Sequence, residues 1–182
     1  MQVRNQSCVN KLRKYLTNKT FVGVAVFEPI FETSSRAFDL QYNVNVKSLI
    51  RVTNVLAKEM VIRDVKGGAI VNISSQSSGL SLKDHLVYSS TKASVDHVTR
   101  ITAFELGRFG IRVNSVRPTV VMSELVRKNW DKKRLEVMKN QIPLKRLGNA
   151  DELDGVLLLL CSSAGSFITG SVMRVDGGHV IA

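Results

Sequence analysis

From Ala69 onward, short β-branched runs alternate with long helical patterns, and no other feature of this sequence restricts its fold as strongly. Ala69–Ser74, which follows two glycines, predicts a buried strand flanked by helices. Ile111–Val116 and Ser171–Val175 predict two further strands. Strands separated by helices are typical of α/β proteins, in which right-handed crossovers keep the strands parallel. We therefore expect an α/β fold built on a parallel sheet.

Two long helices are predicted, one before and one after the first strand in the sequence. Residues 35–62 place apolar side chains at helical spacing, and so does Val87–Phe109, which Gly110 follows as a helix stop. With 182 residues, 44% of them hydrophobic and 23% charged, the chain has an ordinary globular composition. A chain of this length corresponds to about one domain.

The segment after the second strand has a different character. Residues 119–147 are basic and form an interrupted helical pattern, which predicts a lid without strand character. Asn149 and Glu152 lie three residues apart and form a variant capping box. This box predicts the start of a helix that runs through Leu160.

Cysteine content and hydropathy limit the kinds of site and compartment. Cys8 and Cys161 are the only cysteines, so neither a disulfide framework nor a metal site is predicted. No apolar run approaches the roughly 18 residues that a transmembrane helix needs. We expect no membrane association and a cytoplasmic location. A mitochondrial location stays open, because residues 1–20 are basic and contain no acidic residue.

The net charge of +11 is concentrated in residues 1–20 and 127–146. Basic clusters of this kind can bind nucleic acid, in which case the affinity would fall steeply with salt. No aromatic interleaving or known binding motif accompanies the charge. A solvated basic surface explains the pattern better, and we expect no nucleic-acid partner.

The strongest chemical signal is Tyr88-Ser-Ser-Thr-Lys92, preceded thirteen positions earlier by Ser75 at the end of a predicted strand. Residues four apart share a helix face, so the Tyr88 hydroxyl and the Lys92 ammonium can converge. A nearby ammonium favours tyrosinate, and we expect Lys92 to lower the pKa of Tyr88. Ser75 leaves the carboxyl end of a strand, where open α/β sheets bind ligands, and can donate a hydrogen bond to a substrate oxygen.

These residues and their surroundings resemble the short-chain dehydrogenase/reductase family. The resemblance runs from about Val24 to Ala182. It includes the following motifs: Asn-Val-Asn45, Gly-Ala-Ile-Val-Asn-Ile-Ser-Ser75, Tyr88-Ser-Ser-Thr-Lys92, Arg-Val-Asn-Ser-Val-Arg-Pro118 and Thr-Gly-Ser-Val-Met-Arg-Val-Asp-Gly-Gly178. It implies a Rossmann-type, doubly wound parallel sheet and a nicotinamide cofactor.

The resemblance also implies a role for each matched residue. Asn45 would hold a water in the proton relay, and Ser75 would polarise the substrate carbonyl. Tyr88 would be the general acid in reduction, while Lys92 would bind the nicotinamide ribose and tune the tyrosine. The implied cofactor-binding residues are Tyr88, Lys92, Pro118, Thr119, Val121 and Ser123.

Within the family, Ser75-Gln76, His85, Trp130 and the run Pro-Thr-Val-Val-Met122 resemble the L-xylulose (dicarbonyl) reductases. This resemblance implies NADP(H) and a small sugar or dicarbonyl substrate. The implied substrate-pocket residues are Gln76, Leu82, His85 and Trp130. Trp130 could instead be an apolar anchor of the lid. His97 and His179 are given no site role, because a lone histidine is usually exposed or makes a satisfied polar contact.

The sequence departs from the family's pattern at its amino-terminal end. The glycine-rich cofactor turn is absent, and only Gly23 remains of the family's Asn-Asn-Ala-Gly. We therefore expect a divergent basic segment at 1–20, the catalytic part of the domain at 21–182, and a partial sheet that lacks its first strands. Such a sheet would be poorly stable as a monomer.

Two functions stay open. The chain could be an NADP(H)-dependent carbonyl reductase that assembles as a homo-oligomer, as the tetramers of the family do. It could instead be a catalytically inactive truncated isoform that associates with full-length subunits.

Overall fold

The computed structural model of the chain describes residues 23–122, 126 and 130–181. The helices are α1 (Ser35–Tyr42), a π-helical turn (Asn43–Lys47), α2 (Ser48–Ile62), α3 (Leu86–Leu106), α4 (Lys132–Gln141) and α5 (Asp154–Cys161). Short 3-10 turns lie at Ile30–Glu32, Gln76–Ser78, Gly107–Phe109, Ala150–Leu153, Ser163–Gly165 and His179–Ile181. The helices predicted over 35–62 and 87–109 are confirmed. The π-helical turn, which interrupts the first of them, was not predicted, because an apolar pattern does not report one extra residue in a turn.

The strands are β1 (Ala69–Ile73), β2 (Arg112–Pro118), β3 (Val121–Met122), β4 (Gly148–Asn149) and β5 (Val172–Val175). Three of them form a parallel sheet in the order β1-β2-β5, which confirms the predicted parallel α/β architecture. The expectation that residues 119–147 lack strand character is wrong at β3, which pairs with β4 in a separate two-stranded parallel sheet. Two residues are too few to produce the alternation that identifies a strand.

Helices cover both faces of the central sheet. On one face Ala57 of α2 and Ala103 of α3 pack against Ile70 and Val113 of the strands. Side chains alternate along a strand, so Arg112 points to the other face, where its guanidinium donates to the Leu160 carbonyl of α5 at 2.7 Å. Each fully buried aliphatic side chain contributes roughly 1.5–3 kcal/mol. This core fixes the carboxyl ends of β1 and β2, where the predicted site lies.

The turn after β5 joins the sheet to the end of α4. Gly177 and Gly178 have φ angles of 62° and 89°, which non-glycine residues rarely adopt. A Cβ at Gly177 would also approach Ile142 Cγ2 to 2.7 Å. The predicted capping box is present at the next helical segment, where the Glu152 carboxylate accepts from the Asn149 N–H at 2.8 Å. The carboxyl end of α4 is therefore packed against the turn after β5.

Apolar side chains are exposed on the outer faces of the two longest helices. Phe104 of α3 is 89% exposed and Val55 of α2 is 63% exposed. Exposed large apolar side chains on a helix face are common where another protein binds. Among the described helices, none is both long enough and apolar enough to cross a bilayer.

Candidate active site

Ser75, Tyr88 and Lys92 come together at the carboxyl end of β1. Ser75 follows the strand and caps the 3-10 turn, where its Oγ accepts from the Ser77 N–H at 3.2 Å. Tyr88 lies in the first turn of α3, and Lys92 follows one turn later. Lys92 Nζ lies 5.8 Å from the centroid of the Tyr88 ring and donates to the Ile73 carbonyl at 3.1 Å. The predicted convergence of the three side chains is present in the structure.

Burial controls the protonation of this cluster. Burial raises the pKa of Tyr88, and a hydrogen bond from Ser75 opposes the rise. Burial likewise lowers the pKa of Lys92, while the charge of Asp96 opposes that change. The expectation that Tyr88 has a lowered pKa is therefore wrong for this structure, because removing the phenol from water disfavours tyrosinate. Tyr88 therefore keeps its proton at neutral pH.

Asn45 is buried in the π-helical turn and holds the extended segment that precedes α1. Its Nδ2 donates to the Val24 carbonyl at 2.9 Å and to Thr91 Oγ1 at 3.0 Å. Its Oδ1 accepts from the Val24 N–H at 2.9 Å. Both amide protons are therefore engaged in holding structure, and the role of Asn45 in a proton relay stays a prediction. A Cβ at Gly23 would lie 3.8 Å from Lys92 Nζ, so the surviving glycine borders the site.

The same extended segment brings an aromatic side chain to the site. The Phe27 ring centroid lies 4.1 Å from that of His85 and 5.8 Å from that of Tyr88. His85 Nδ1 in turn contacts the Lys83 carbonyl, which fixes its ring. Sequence reasoning missed Phe27, because the extended segment has no periodic pattern and its contacts are with residues about 60 positions away. The valines at every second position, Val24 and Val26, were the one hint in the sequence, and two residues are too few to identify an extended segment.

Gln76 lies beside the site but turns its amide oxygen toward the carboxyl-terminal segment. Gln76 Oε1 lies 2.6 Å from His179 Nδ1, and both side chains are buried. The expectation that His179 makes a satisfied polar contact is confirmed, although its partner is one of the expected pocket residues. Leu82 lies in the loop before α3, where its carbonyl accepts from the His85 N–H at 3.3 Å.

Trp130 packs in the apolar cluster of the lid with Met138, Ile142 and Leu147. The Arg134 guanidinium stacks over its ring at 4.1 Å from the centroid. These contacts are those of an apolar anchor, which was the alternative to a pocket role. The pocket role of Trp130 stays a prediction.

The cofactor-binding residues expected after β2 lie at its carboxyl end. Pro118 ends the strand, Thr119 donates its N–H to the Val175 carbonyl at 3.4 Å, and Val121 pairs with Gly148. Thr119 Oγ1 is buried without a hydrogen-bond partner among the described residues. An unpartnered hydroxyl there fits a ligand that offers an amide or hydroxyl group, as the nicotinamide end of a dinucleotide does. Ser123 lies outside the described residues.

Arg117, which the sequence left without a role, holds a buried carboxylate one helical turn after Lys92. Its Nε and Nη2 contact Asp96 Oδ2 at 2.8 and 2.7 Å. Ser115 Oγ donates to the other carboxylate oxygen at 2.9 Å. Asp96 is 1% exposed, so Arg117 and Ser115 together compensate the desolvation of its charge. Arg117 thus links β2 to α3 one helical turn away from Lys92.

Similarity to characterised proteins agrees with this geometry. The family described as Enoyl-(Acyl carrier protein) reductase matches residues 12–179. The L-xylulose reductase of Mesocricetus auratus is 42% identical over 159 residues, which are 87% of this chain and 65% of that protein. The D-erythrulose reductase of Gallus gallus is 38% identical over 160 residues, which are 87% and 65% of the two chains. The chain therefore spans about two thirds of the length of these relatives.

Solved structures give the same fold. A gluconate 5-dehydrogenase from Burkholderia cenocepacia, in complex with NADP and tartrate, superposes with a TM-score of 0.83 at 26% identity. The match covers 96% of this chain and 71% of that one. A 3-oxoacyl-[acyl-carrier protein] reductase from Brucella melitensis superposes with a TM-score of 0.82 at 26% identity, covering 88% and 61%. By its sequence, its parallel α/β fold and its Ser-Tyr-Lys cluster, the chain belongs to the short-chain dehydrogenase/reductase family.

Proposed function

We propose that this chain carries the catalytic part of an NADP(H)-dependent carbonyl reductase that converts a sugar ketone or an α-dicarbonyl into an alcohol. The convergence of Ser75, Tyr88 and Lys92 at one strand end carries this proposal. The names of the reductases that share about 40% of its residues support the substrate class. We further propose a cytoplasmic location and a homo-oligomeric assembly, a tetramer as in the family.

The roles of the side chains follow from their chemistry. The Ser75 hydroxyl donates a hydrogen bond to the carbonyl oxygen and draws electron density from the carbonyl carbon. Tyr88, which burial keeps protonated, delivers its proton to the same oxygen as negative charge develops there. General acid catalysis of this kind contributes typically 100- to 10,000-fold in rate. Lys92 stabilises the tyrosinate that remains after proton transfer.

The residues that would hold the cofactor are Lys92, Thr119 and the backbone from Pro118 to Val121, with Ser123 as a further expected contact. When bound, NADPH supplies the hydride to the carbonyl carbon. The Thr119 hydroxyl is buried and has no hydrogen-bond partner in the described part of the chain, which supports a ligand at this position. Gln76, Leu82, His85 and Trp130 remain the proposed substrate contacts.

A second candidate is a catalytically silent subunit that associates with full-length reductase subunits. The exposed apolar faces of α2 and α3 favour it, because such faces are normally buried in an assembly. The two candidates differ in one respect that can be measured. A reductase oxidises NADPH on its own, whereas a silent subunit does so only as part of a mixed oligomer.

The deciding experiment is NADPH oxidation by the purified 182-residue chain with L-xylulose or diacetyl as substrate. Tyr88→Phe should lose at least 100-fold in turnover, because the acid is removed while the ring remains. Tyr42→Phe is the matched control, since Tyr42 stacks on Phe38 in α1, away from the Ser75 cluster. Equal turnover of wild type and Tyr88→Phe would overturn the proposal. Absence of turnover, together with co-purification with a full-length subunit, would favour the silent subunit.

A further inference from the structure

The backbone around Phe27 is fixed on both sides. Before it, the Val26 N–H donates to Gln41 Oε1 and the Val26 carbonyl accepts from Gln41 Nε2, both at 3.2 Å. Glu28, after it, donates its N–H to the Asp84 carbonyl at 3.1 Å. The Glu28 carboxylate also accepts from the N–H and the hydroxyl of Ser34, which caps α1. Phe27 is therefore presented from a rigid support and not from a mobile loop.

Exposed and half-buried residues alternate along this segment, and Phe27 lies on the face that borders Lys92 and Tyr88. Gly23, Ala25 and Phe27 are exposed, whereas the intervening valines are half-buried. Gly23 borders Lys92 Nζ, and Phe27 packs against Tyr88, so this face runs along the site from the lysine to the tyrosine. A side chain at position 27 would therefore lie close to a substrate bound at Tyr88.

The Phe27 ring is only partly covered by its neighbours. It meets the His85 ring with an interplanar angle of 31° and the Tyr88 ring nearly perpendicularly, at 83°. It is still 46% exposed, so a large part of its surface is available to a ligand. An aromatic surface attracts planar, conjugated groups and offers no hydrogen-bond partner to hydroxyl groups.

We propose that Phe27 is a specificity-determining residue, which with His85 forms an aromatic wall beside the Tyr88 ring and favours a planar conjugated carbonyl over a polyhydroxylated ketose. This inference rests on the proposed function and narrows its substrate class to α-dicarbonyls with an apolar or aryl substituent. A ketose in the same place would bury hydroxyl groups against the ring without partners, and this disfavours its binding.

The test measures binding of two ligands to the full 182-residue chain by isothermal titration calorimetry in the presence of NADP. The ligands are 1-phenylpropane-1,2-dione and L-xylulose. Phe27→Leu, which keeps an apolar side chain but removes the ring, should weaken dione binding roughly 3- to 10-fold, the range of an aromatic pair, and leave L-xylulose binding unchanged. Phe27→Tyr keeps the ring and should keep the preference.

Phe31→Leu is the matched control, because Phe31 lies four residues away and is 99% exposed. It should leave the binding of both ligands unchanged. If Phe27→Leu weakens both ligands equally, or neither, this inference is overturned while the proposed function stands. If the wild-type chain binds neither ligand, the proposed function fails, and the inference fails with it.

Discussion

Gln76 Oε1 and His179 Nδ1 lie 2.6 Å apart, although 103 residues separate them in the sequence. An amide oxygen can only accept, so in this contact the imidazole Nδ1 carries the proton. The amide nitrogen of Gln76 is then turned away from His179 and keeps its two donors for another partner. His179 thereby determines that the amide nitrogen of Gln76, and not its oxygen, is available at the site.

Replacing His179 should affect both stability and substrate binding. His179→Ala leaves the buried Gln76 oxygen without a partner, which costs about 1–3 kcal/mol. Urea denaturation should therefore show a lower free energy of unfolding. If the chain turns over, KM should rise more than kcat falls, because the amide donor loses its fixed orientation. His97→Ala is the control, since His97 is exposed on α3. Equal effects of the two substitutions would contradict this role for His179.

Arg117 should be required for stability through its pair with Asp96. The Asp96 side chain is 2% exposed and that of Arg117 19% exposed, so removal of the arginine leaves a buried carboxylate without its ion-pair partner, with the Ser115 hydroxyl still donating to it. Breaking a buried pair in this way costs about 3–5 kcal/mol. Arg117→Asn should lower the free energy of unfolding accordingly, as measured by chemical denaturation.

The double substitution Asp96→Asn with Arg117→Asn provides the control for that prediction. It removes both charges, and most of the lost stability should return. A double variant no more stable than Arg117→Asn alone would show that the arginine acts through packing and not through the ion pair.

Lys92 should be a site where function opposes stability. Burial lowers its pKa, so the folded state binds this proton less tightly than the unfolded state does. This difference in proton affinity lowers the free energy of unfolding at neutral pH. The loss of stability becomes smaller as the pH rises from the pKa of Lys92 in the folded state toward its pKa in the unfolded state. Lys92→Met should therefore be at least as stable as wild type at pH 7, and catalytically silent. The stability difference between the two proteins should shrink as the pH rises toward 10. A difference that does not change with pH would contradict the assignment.

The parallel α/β fold and the Ser75-Tyr88-Lys92 cluster could be predicted because both leave local patterns. Alternating strand and helix periods gave the order of elements, and the four-residue spacing of Tyr88 and Lys92 placed both side chains on one helix face. The direction of the Tyr88 pKa could not be predicted correctly. The sequence shows that the Lys92 ammonium is near Tyr88, and that neighbour alone would lower the pKa. Burial has the larger effect and raises the pKa, and it depends on how the whole fold covers the Tyr88 hydroxyl.

The contacts of Phe27, Arg117 and His179 could not be predicted for a related reason. Each joins segments that are 21 to 103 residues apart in the sequence, and nothing local specifies the partner. The resemblance to the family implied no role for Arg117, so it gave no information about this contact. Long-range polar contacts of this kind require the folded arrangement of β2, α3 and the carboxyl-terminal segment.

Two amides on one helix face hold the extended segment 23–29 as a neighbouring strand would. Gln41 pairs with both backbone groups of Val26, and Asn45 pairs with both backbone groups of Val24. The spacing of four residues on the helix matches the spacing of two on the extended segment, since both advance about 6 Å. Each amide should therefore protect one backbone N–H from exchange with solvent.

Gln41→Leu should accelerate amide hydrogen exchange at Val26 more than at Val24, and Asn45→Leu should do the reverse. Each loses two backbone hydrogen bonds, and Asn45→Leu also loses the contact with Thr91, so it should be the more destabilising, with a cost of about 1–3 kcal/mol. Exchange measured by NMR at the two amides makes each variant the control for the other. If both substitutions accelerate exchange at the two amides equally, the segment 23–29 opens as one unit. In that case the packing of the whole helix, and not the individual amides, holds Phe27 beside Tyr88.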